Sequence, residues 1–548
     1  MSSKLLAFGI AAIVSAGSLK PTSTSELADY FQTSFGPYAA LMGELKGPTQ
    51  VGSAPFLAQT NPAPFGNHPY VPNTPIVTDV PIIGQVDGAE IFKYMGNLSP
   101  YMPNPSGFGV EEYPLPPGSN ITQMYMIHRH GSRYPTFGDP VPVVYFHTRI
   151  SELLGNGTRF TGNLSFLNDW KYELGTEELT ALGRQQLFDS GVLHWFNYGR
   201  LYDSSVPLIA RTTTEARMLQ SAENFLNGFF GPNWTQNVTL EVLIESSGFN
   251  NSLAGNEACN NSHTDRGYVG DGVSTQWRNK YLQQATERFR QSMTSNANWT
   301  IEDTYIAQTM CPYETVGLGY SPFCSLFTWD EWLGFGYSLD VSYYGSFGFG
   351  SPVARALGIG YVEELVARLL HHYPQPDDDS IAVNETLDDN ARTFPLDQTL
   401  YLDFSHDTNM VAVLTALGLT QFAEFLPLSD PPLNHQLITS HLVPFAGRLN
   451  IEVIKTSRPV LAQRSEQPGD SVYESTGDET IYVHMLMNQR TIPLGRSIPE
   501  CGQRDDGWCE LKTFIKAQKE NIVKANYQES CFGDYPVPAY GNITSGAI

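Results

Sequence analysis

The chain is 548 residues long, 41% hydrophobic and 12% aromatic, which excludes a disordered protein and leaves room for two or three domains. Its formal net charge of -24 argues against nucleic acid and anionic membrane surfaces as partners. An anionic ligand would meet so acidic a protein most readily at low pH, where carboxylates, which ordinarily titrate at about pH 4, begin to protonate.

Met1-Ser-Ser-Lys4 is a short basic start, Leu5 to Val14 an apolar run, and Ser15-Ala-Gly-Ser18 a small-residue stretch before Pro21. Residues 1–18 therefore read as a cleavable secretory signal, too short to span a bilayer. No later run approaches the roughly twenty apolar residues of a membrane helix. Residues 19–118 read as a Pro/Gly-rich extension with one short helix between Ser25 and Gly43 and no visible chemistry. Eleven Asn-x-Ser/Thr sequons fit an exported, N-glycosylated protein: Asn97, Asn120, Asn156, Asn163, Asn233, Asn237, Asn250, Asn260, Asn298, Asn384 and Asn542. Asn97 is the weakest, because Pro100 follows its triplet. The six cysteines (Cys259, Cys311, Cys324, Cys501, Cys509, Cys531) form no Cys-x-x-Cys pair, which argues against zinc. In an oxidising compartment they read as three disulfides with fifteen connectivities open.

The first chemistry lies in Gln123-Met-Tyr-Met-Ile-His-Arg-His-Gly-Ser-Arg-Tyr-Pro-Thr136. An apolar strand ends in Gly and Pro, and open α/β sheets seat ligands at the carboxyl ends of such strands. Arg129 and Arg133 flank His130, a pairing that suits an anion and a nucleophile. Residues 178–191 have helical apolar spacing, with Gly191 as the expected C-cap. Val206 to Thr214 reads as a second strand, and Glu215 to Phe229 as an amphipathic helix. Arg217 sits in that helix's first turn, where backbone N–H groups also favour an anion. Composition then shifts to Asn, Ser and aromatics, and residues 215–340 are taken as an inserted, mainly α-helical cap within an α/β domain spanning 119–548. Leu400 to Ser405 reads as a strand, His406-Asp407 as its end, and Thr408 to Leu417 as an apolar helix. Tyr482 to Met487 is a further strand.

The string Arg-His-Gly-x-Arg-x-Pro at 129–135, with Ser-His-Asp-Thr-Asn at 405–409, resembles the histidine acid phosphatases, in particular their fungal phytase and acid phosphatase branch. Ala-Arg-Thr-Thr-Thr-Glu-Ala-Arg at 210–217 is similar to the segment that supplies that family's third phosphate-binding arginine, so Arg217 takes that role and Arg211 a structural one. The runs 328–332, 343–345 and 350–352 also resemble fungal phytases, and the resemblance covers about residues 90 to 535. It implies a three-layer α/β/α core with a mainly parallel central sheet. It also implies pairings Cys259–Cys531, Cys311–Cys324 and Cys501–Cys509, one bridge fewer than phytases carry.

The resemblance further implies a phosphate monoesterase without metal or cofactor. His130 would attack phosphorus, Asp407 would protonate the leaving alkoxide, and Arg129, Arg133, Arg217 and His406 would hold the phosphoryl oxygens. A general-acid carboxyl points to an acidic optimum. Past the signature, Phe137-Gly-Asp-Pro140 places Asp139 where phytases are basic, which favours a broad acid phosphomonoesterase that includes phytate in its range over a dedicated phytase. A secreted, glycosylated chain argues against the superfamily's mutases. The alternative from another class is a catalytically inactive binding or cell-wall glycoprotein. Oligomeric state is left open.

Overall fold

The computed structural model describes residues 80–86, 89–137, 142–205, 208–374, 382–432, 434–464 and 471–548. The signal, the 25–43 helix and Asp139 lie outside them.

An eight-stranded sheet organises the core. Strands β1 (Asn120–Arg129), β2 (Leu208–Thr213), β3 (Val238–Leu243) and β4 (Leu400–Ser405) are parallel in the order β3-β2-β4-β1. Beyond β1 the sheet continues with antiparallel β5 (Arg448–Thr456), β6 (Thr480–Met487) and β7 (Arg490–Thr491), and β8 (Cys509–Glu510) pairs with β6. The parallel character thus belongs to the half of the sheet that carries the strings 129–135 and 405–409.

β1 shows why the sequence folds this way. Successive strand residues point to opposite faces, and a sheet covered on both faces needs apolar residues at every position. Met124 and Met126 enter one core with Leu187, Phe225 and Phe404; Tyr125 and Ile127 enter the other with Tyr401, Val362 and Val413. The first core is roofed by α2 (Ala181–Tyr198) and α3 (Ala216–Phe230). The second is covered by α8 (Ala354–Leu370), α10 (Asp407–Ala416) and α12 (Leu511–Lys524).

A third core joins α1 (Phe146–Gly155) to the inserted helices α5 (Gln283–Gln291), α6 (Ile301–Leu318) and α7 (Trp329–Ser346). α4 (Val269–Tyr281) packs on α7, where Trp277 donates to the Gly334 carbonyl at 2.9 Å. Three short helices complete the chain: α9 (Glu385–Asp388), α11 (Thr439–Leu442) and α13 (Tyr527–Phe532). β3, which lies within the 215–340 stretch, pairs with β2 inside the sheet.

One feature differs from the sequence reading: Gly191 does not end α2, which runs on to Tyr198. A Cβ at Gly191 would lie 2.0 Å from the Phe225 carbonyl oxygen, so the glycine is needed for close contact with α3. The last residues of the N-terminal extension pack on the body of the protein: Ile91, Phe92, Met95 and Leu98 are buried in the third core. Cys259 bonds Cys531 across 272 residues, Cys311 bonds Cys324 within the cap, and Cys501 bonds Cys509 beside β8.

Candidate active site

β1 and β4 are parallel neighbours with Arg129 opposite Ser405, so their carboxyl ends release His130 and His406-Asp407 side by side. The two imidazole rings stand 5.9 Å apart, centroid to centroid. β2 ends at the same edge and α3 begins three residues later, carrying Arg217 in its first turn. The signature loop bends tightly against α2. A Cβ at Gly131 would meet the Gly183 carbonyl oxygen at 2.2 Å, and one at Gly183 the Ser132 carbonyl oxygen at 2.0 Å.

His130 is buried, and its Nδ1 lies 2.9 Å from the Gly131 carbonyl oxygen. A carbonyl can only accept, so the proton sits on Nδ1 and Nε2 keeps its lone pair. Burial, then Arg129, Arg133 and Arg217, pushes the imidazole well below its ordinary pKa. These surroundings favour the neutral form of the ring.

Arg129 is fully buried, with Nη2 2.6 Å from Asp407 Oδ2 and Nη1 donating to the Val443 and Asn97 carbonyls. Burial alone would raise the Asp407 carboxyl. Arg129, with hydrogen bonds from Asn97 and Tyr343, outweighs it and holds the group well below the usual carboxylate range. Arg133 donates to Tyr313 Oη at 3.0 Å, which points its guanidinium toward the cap. Arg217 is gripped by Glu177 through Nη1 at 3.0 Å and by Glu215 through Nη2. His406 Nε2 lies 3.0 Å from the Glu245 carboxylate; burial lowers its pKa, but Glu245 raises it further, so the net shift is upward.

The six residues singled out in the sequence thus converge on one edge of the sheet. Five others at the site were not foreseen. Asn97 lies in the extension read as devoid of chemistry, yet its Nδ2 donates to Asp407 Oδ2 at 2.8 Å across 310 residues of chain. Its side chain is buried and engaged, which bars a glycan at this sequon. Tyr343, from α7 of the cap, is the second donor to Asp407. Glu177 has φ 64°, a left-handed backbone rare outside glycine, and also accepts the Phe137 N–H at 2.8 Å. Glu215 and Glu245 complete the set. Glu215, in the Thr-Glu-Ala-Arg string, and Tyr343, in the 343–345 run, carried a sequence signal. The donor atoms of Glu215, Glu245 and His406 lie within 4.8 Å of one another. Arg217 and His406 face these carboxylates, so the group is joined by ion pairs and hydrogen bonds.

The histidine phosphatase superfamily (branch 2) model matches residues 120–488, which include the strings 129–135 and 405–409 and Arg217. The chain belongs to that superfamily. It is a phosphate-monoester hydrolase of the phytase and acid phosphatase kind. Phytase A of Aspergillus oryzae is 31% identical over 458 residues, covering 80% of this chain and 90% of that one. Phytase A of Emericella nidulans is 30% identical over 439 residues, covering 77% and 88%. In fold, the phytase from D. castellii superposes with a TM-score of 0.63 at 23% identity, covering 83% of this chain and 90% of that one.

Behind the site, this histidine phosphatase keeps Arg211 for structure. It clasps Asp403 (2.7 and 2.9 Å) and reaches Glu364, while Arg368 donates to Asp403 at 3.1 Å.

Proposed function

We propose that this phosphatase is a secreted, N-glycosylated enzyme that cleaves small phosphate monoesters through a phosphohistidine on His130, with phytate within its range. The observation that carries this reading is the neutral Nε2 of His130 set among Arg129, Arg133, Arg217 and His406. Phosphoryl transfer spreads charge over the equatorial oxygens, so fixed cations supply most of the stabilisation. His130 attacks phosphorus as the ester bond breaks. Asp407 gives its proton to the departing alkoxide, and water then releases phosphate from the imidazole.

The low pKa of Asp407 in the substrate-free site bears on this role. A carboxylate cannot donate a proton, so the donor state has to form in the complex. A bound phosphate dianion offsets the positive potential of Arg129 and Arg133 and drives the Asp407 pKa upward. Substrate binding and proton uptake at Asp407 are then coupled, so the donor is loaded more readily in acid.

Carboxylates supplied by Glu177, Glu215 and Glu245 crowd the cage, which disfavours a hexakisphosphate relative to a monoester. That supports broad specificity. The phytase A relatives support the second reading, a dedicated phytase. Seven exposed sequons (Asn120, Asn156, Asn163, Asn233, Asn260, Asn298 and Asn542) and three disulfides support export, and no helix among the described residues is long and apolar enough to cross a membrane.

The test is phosphate release at about pH 5 with EDTA present, from p-nitrophenyl phosphate and from phytate, beside His130→Ala. Turnover of both, abolished in the variant, supports the mechanism, and the ratio of efficiencies settles breadth. No turnover by a folded wild type would leave the inactive binding glycoprotein.

A further inference from the structure

Each cationic donor on the α3 side of the cage already faces a carboxylate. Arg217 gives Nη1 to Glu177 at 3.0 Å and Nη2 to Glu215. His406 Nε2 stands 3.0 Å from Glu245 and 3.8 Å from Glu215. These are the atoms a phosphoryl oxygen would need on that side.

The three carboxylates differ in freedom. Glu177 is pinned a second time by the Phe137 N–H at 2.8 Å, and its side chain is 9% exposed. Glu245 is 10% exposed, and both of its carboxylate oxygens lie 3.0 Å from His406 Nε2. Glu215 is 27% exposed and stands at the N-cap of α3 with extended backbone, where its side chain makes no capping hydrogen bond. It alone bridges both cations, and it is the most exposed of the three. Glu177 and Glu245 orient Arg217 and His406, whereas Glu215 occupies the space between them.

We propose that Glu215 is an internal competitor for the phosphate seat: its carboxylate bridges Arg217 and His406 where substrate oxygens must bind, and it withdraws when protonated or displaced by substrate. This rests on the reading of Arg217 and His406 as phosphate ligands. The groups facing Glu215 are Arg217 on its own helix, Glu245 after β3, Glu177 before α2 and His406 before α10. His130 after β1 lies behind the cations, and Glu257 lies beyond Glu245. Burial, with Glu245 and Glu177, raises the Glu215 pKa, while Arg217 and His406 oppose the rise. An acid of this kind opens the seat as pH falls and closes it as pH rises. The consequence is an affinity for anions that depends on pH independently of the catalytic proton.

Inorganic sulfate is the suitable probe, since its charge does not change between about pH 4.5 and pH 6.5, the window spanned by ordinary carboxylate and imidazole pKa values. Isothermal titration of wild type, Glu215→Gln and Glu177→Gln at both pH values gives the answer without turnover. In wild type, affinity falls as pH rises. Glu215→Gln binds sulfate about tenfold more tightly than wild type at the higher pH, one pKa unit's worth of interaction, and converges with it at the lower. Glu177→Gln binds more weakly at both, because Arg217 has lost its anchor. Glu215→Ser provides the same comparison if the glutamine variant does not fold or its amide stays on Arg217. Equal or weaker sulfate binding by a folded Glu215 variant at the higher pH overturns the proposal, as does a wild type that binds no sulfate. A wild type that binds sulfate as described but hydrolyses no ester overturns the catalytic reading and leaves this one standing.

Discussion

Asn97→Ala removes one hydrogen bond from Asp407, the proposed proton donor, and leaves the rest of the site in place. The Asn97 carbonyl still accepts from Arg129, because that contact is main chain. What is lost is the 2.8 Å bond from Nδ2 to Asp407 Oδ2. A hydrogen bond to a charged group contributes about 1.5–3 kcal/mol, and each 1.36 kcal/mol is a factor of about ten in rate. Arg129 and Tyr343 still hold the carboxylate, so the lower end applies, a loss of about tenfold if orientation of Asp407 matters to the transition state. The loss has to depend on the leaving group. An alkyl phosphate releases a strongly basic alkoxide and needs the proton; an acidic phenol does not. The assay is kcat/KM for glycerol phosphate and for p-nitrophenyl phosphate in wild type and variant. About tenfold on the alkyl ester and under about threefold on the aryl ester is the expected result. Equal losses on both would refute the argument that Asn97 acts through Asp407, and so would a glycan found on Asn97 by peptide mass spectrometry.

Three further outcomes concern stability. Arg211→Met leaves the buried Glu364 without its arginine and Asp403 with Arg368 alone, and should cost about 3–5 kcal/mol, read by denaturant unfolding; an unchanged midpoint would contradict the structural role. Gly191→Ala pits two effects against each other. Helix propensity favours alanine by about 1 kcal/mol, whereas forcing a Cβ against the Phe225 carbonyl costs about 1–3 kcal/mol, so a lowered melting temperature is expected and a raised one would mean that α2 and α3 can separate freely. His194 is buried and pushed down to about 4, chiefly by burial and then by Arg448. Its unfolded form takes up a proton below the ordinary imidazole value of about 6.5 and its folded form does not, so it makes stability fall as pH drops from there toward its folded pKa. His194→Gln should lessen that slope by one proton across the window, and an unaltered slope would show that His194 is not buried neutral.

Much of the site was legible because its chemistry is written at strand ends. β1 and β4 each carry their functional residues immediately after an apolar run, and chain direction alone sends those residues to the same edge of a parallel sheet. The arginine on α3 follows from the same strand-loop-helix order. The antiparallel half of the sheet was not legible, since a run such as 482–487 has the same composition in either orientation and only its partner strand decides. Gly191 misled for a related reason: a glycine in a helical pattern reads as a stop until the helix packed against it is known.

What the sequence determined by itself was which residues meet at this edge of the sheet: His130, His406, Asp407 and three arginines, each carried by a local string. What only the tertiary structure decided was their electrostatic state. Asn97 reaches Asp407 across 310 residues, Tyr343 comes from the cap, and Glu177, Glu215 and Glu245 come from three separate segments. A pKa depends on charges within a few ångströms in space, and separation along the chain carries no information about that distance.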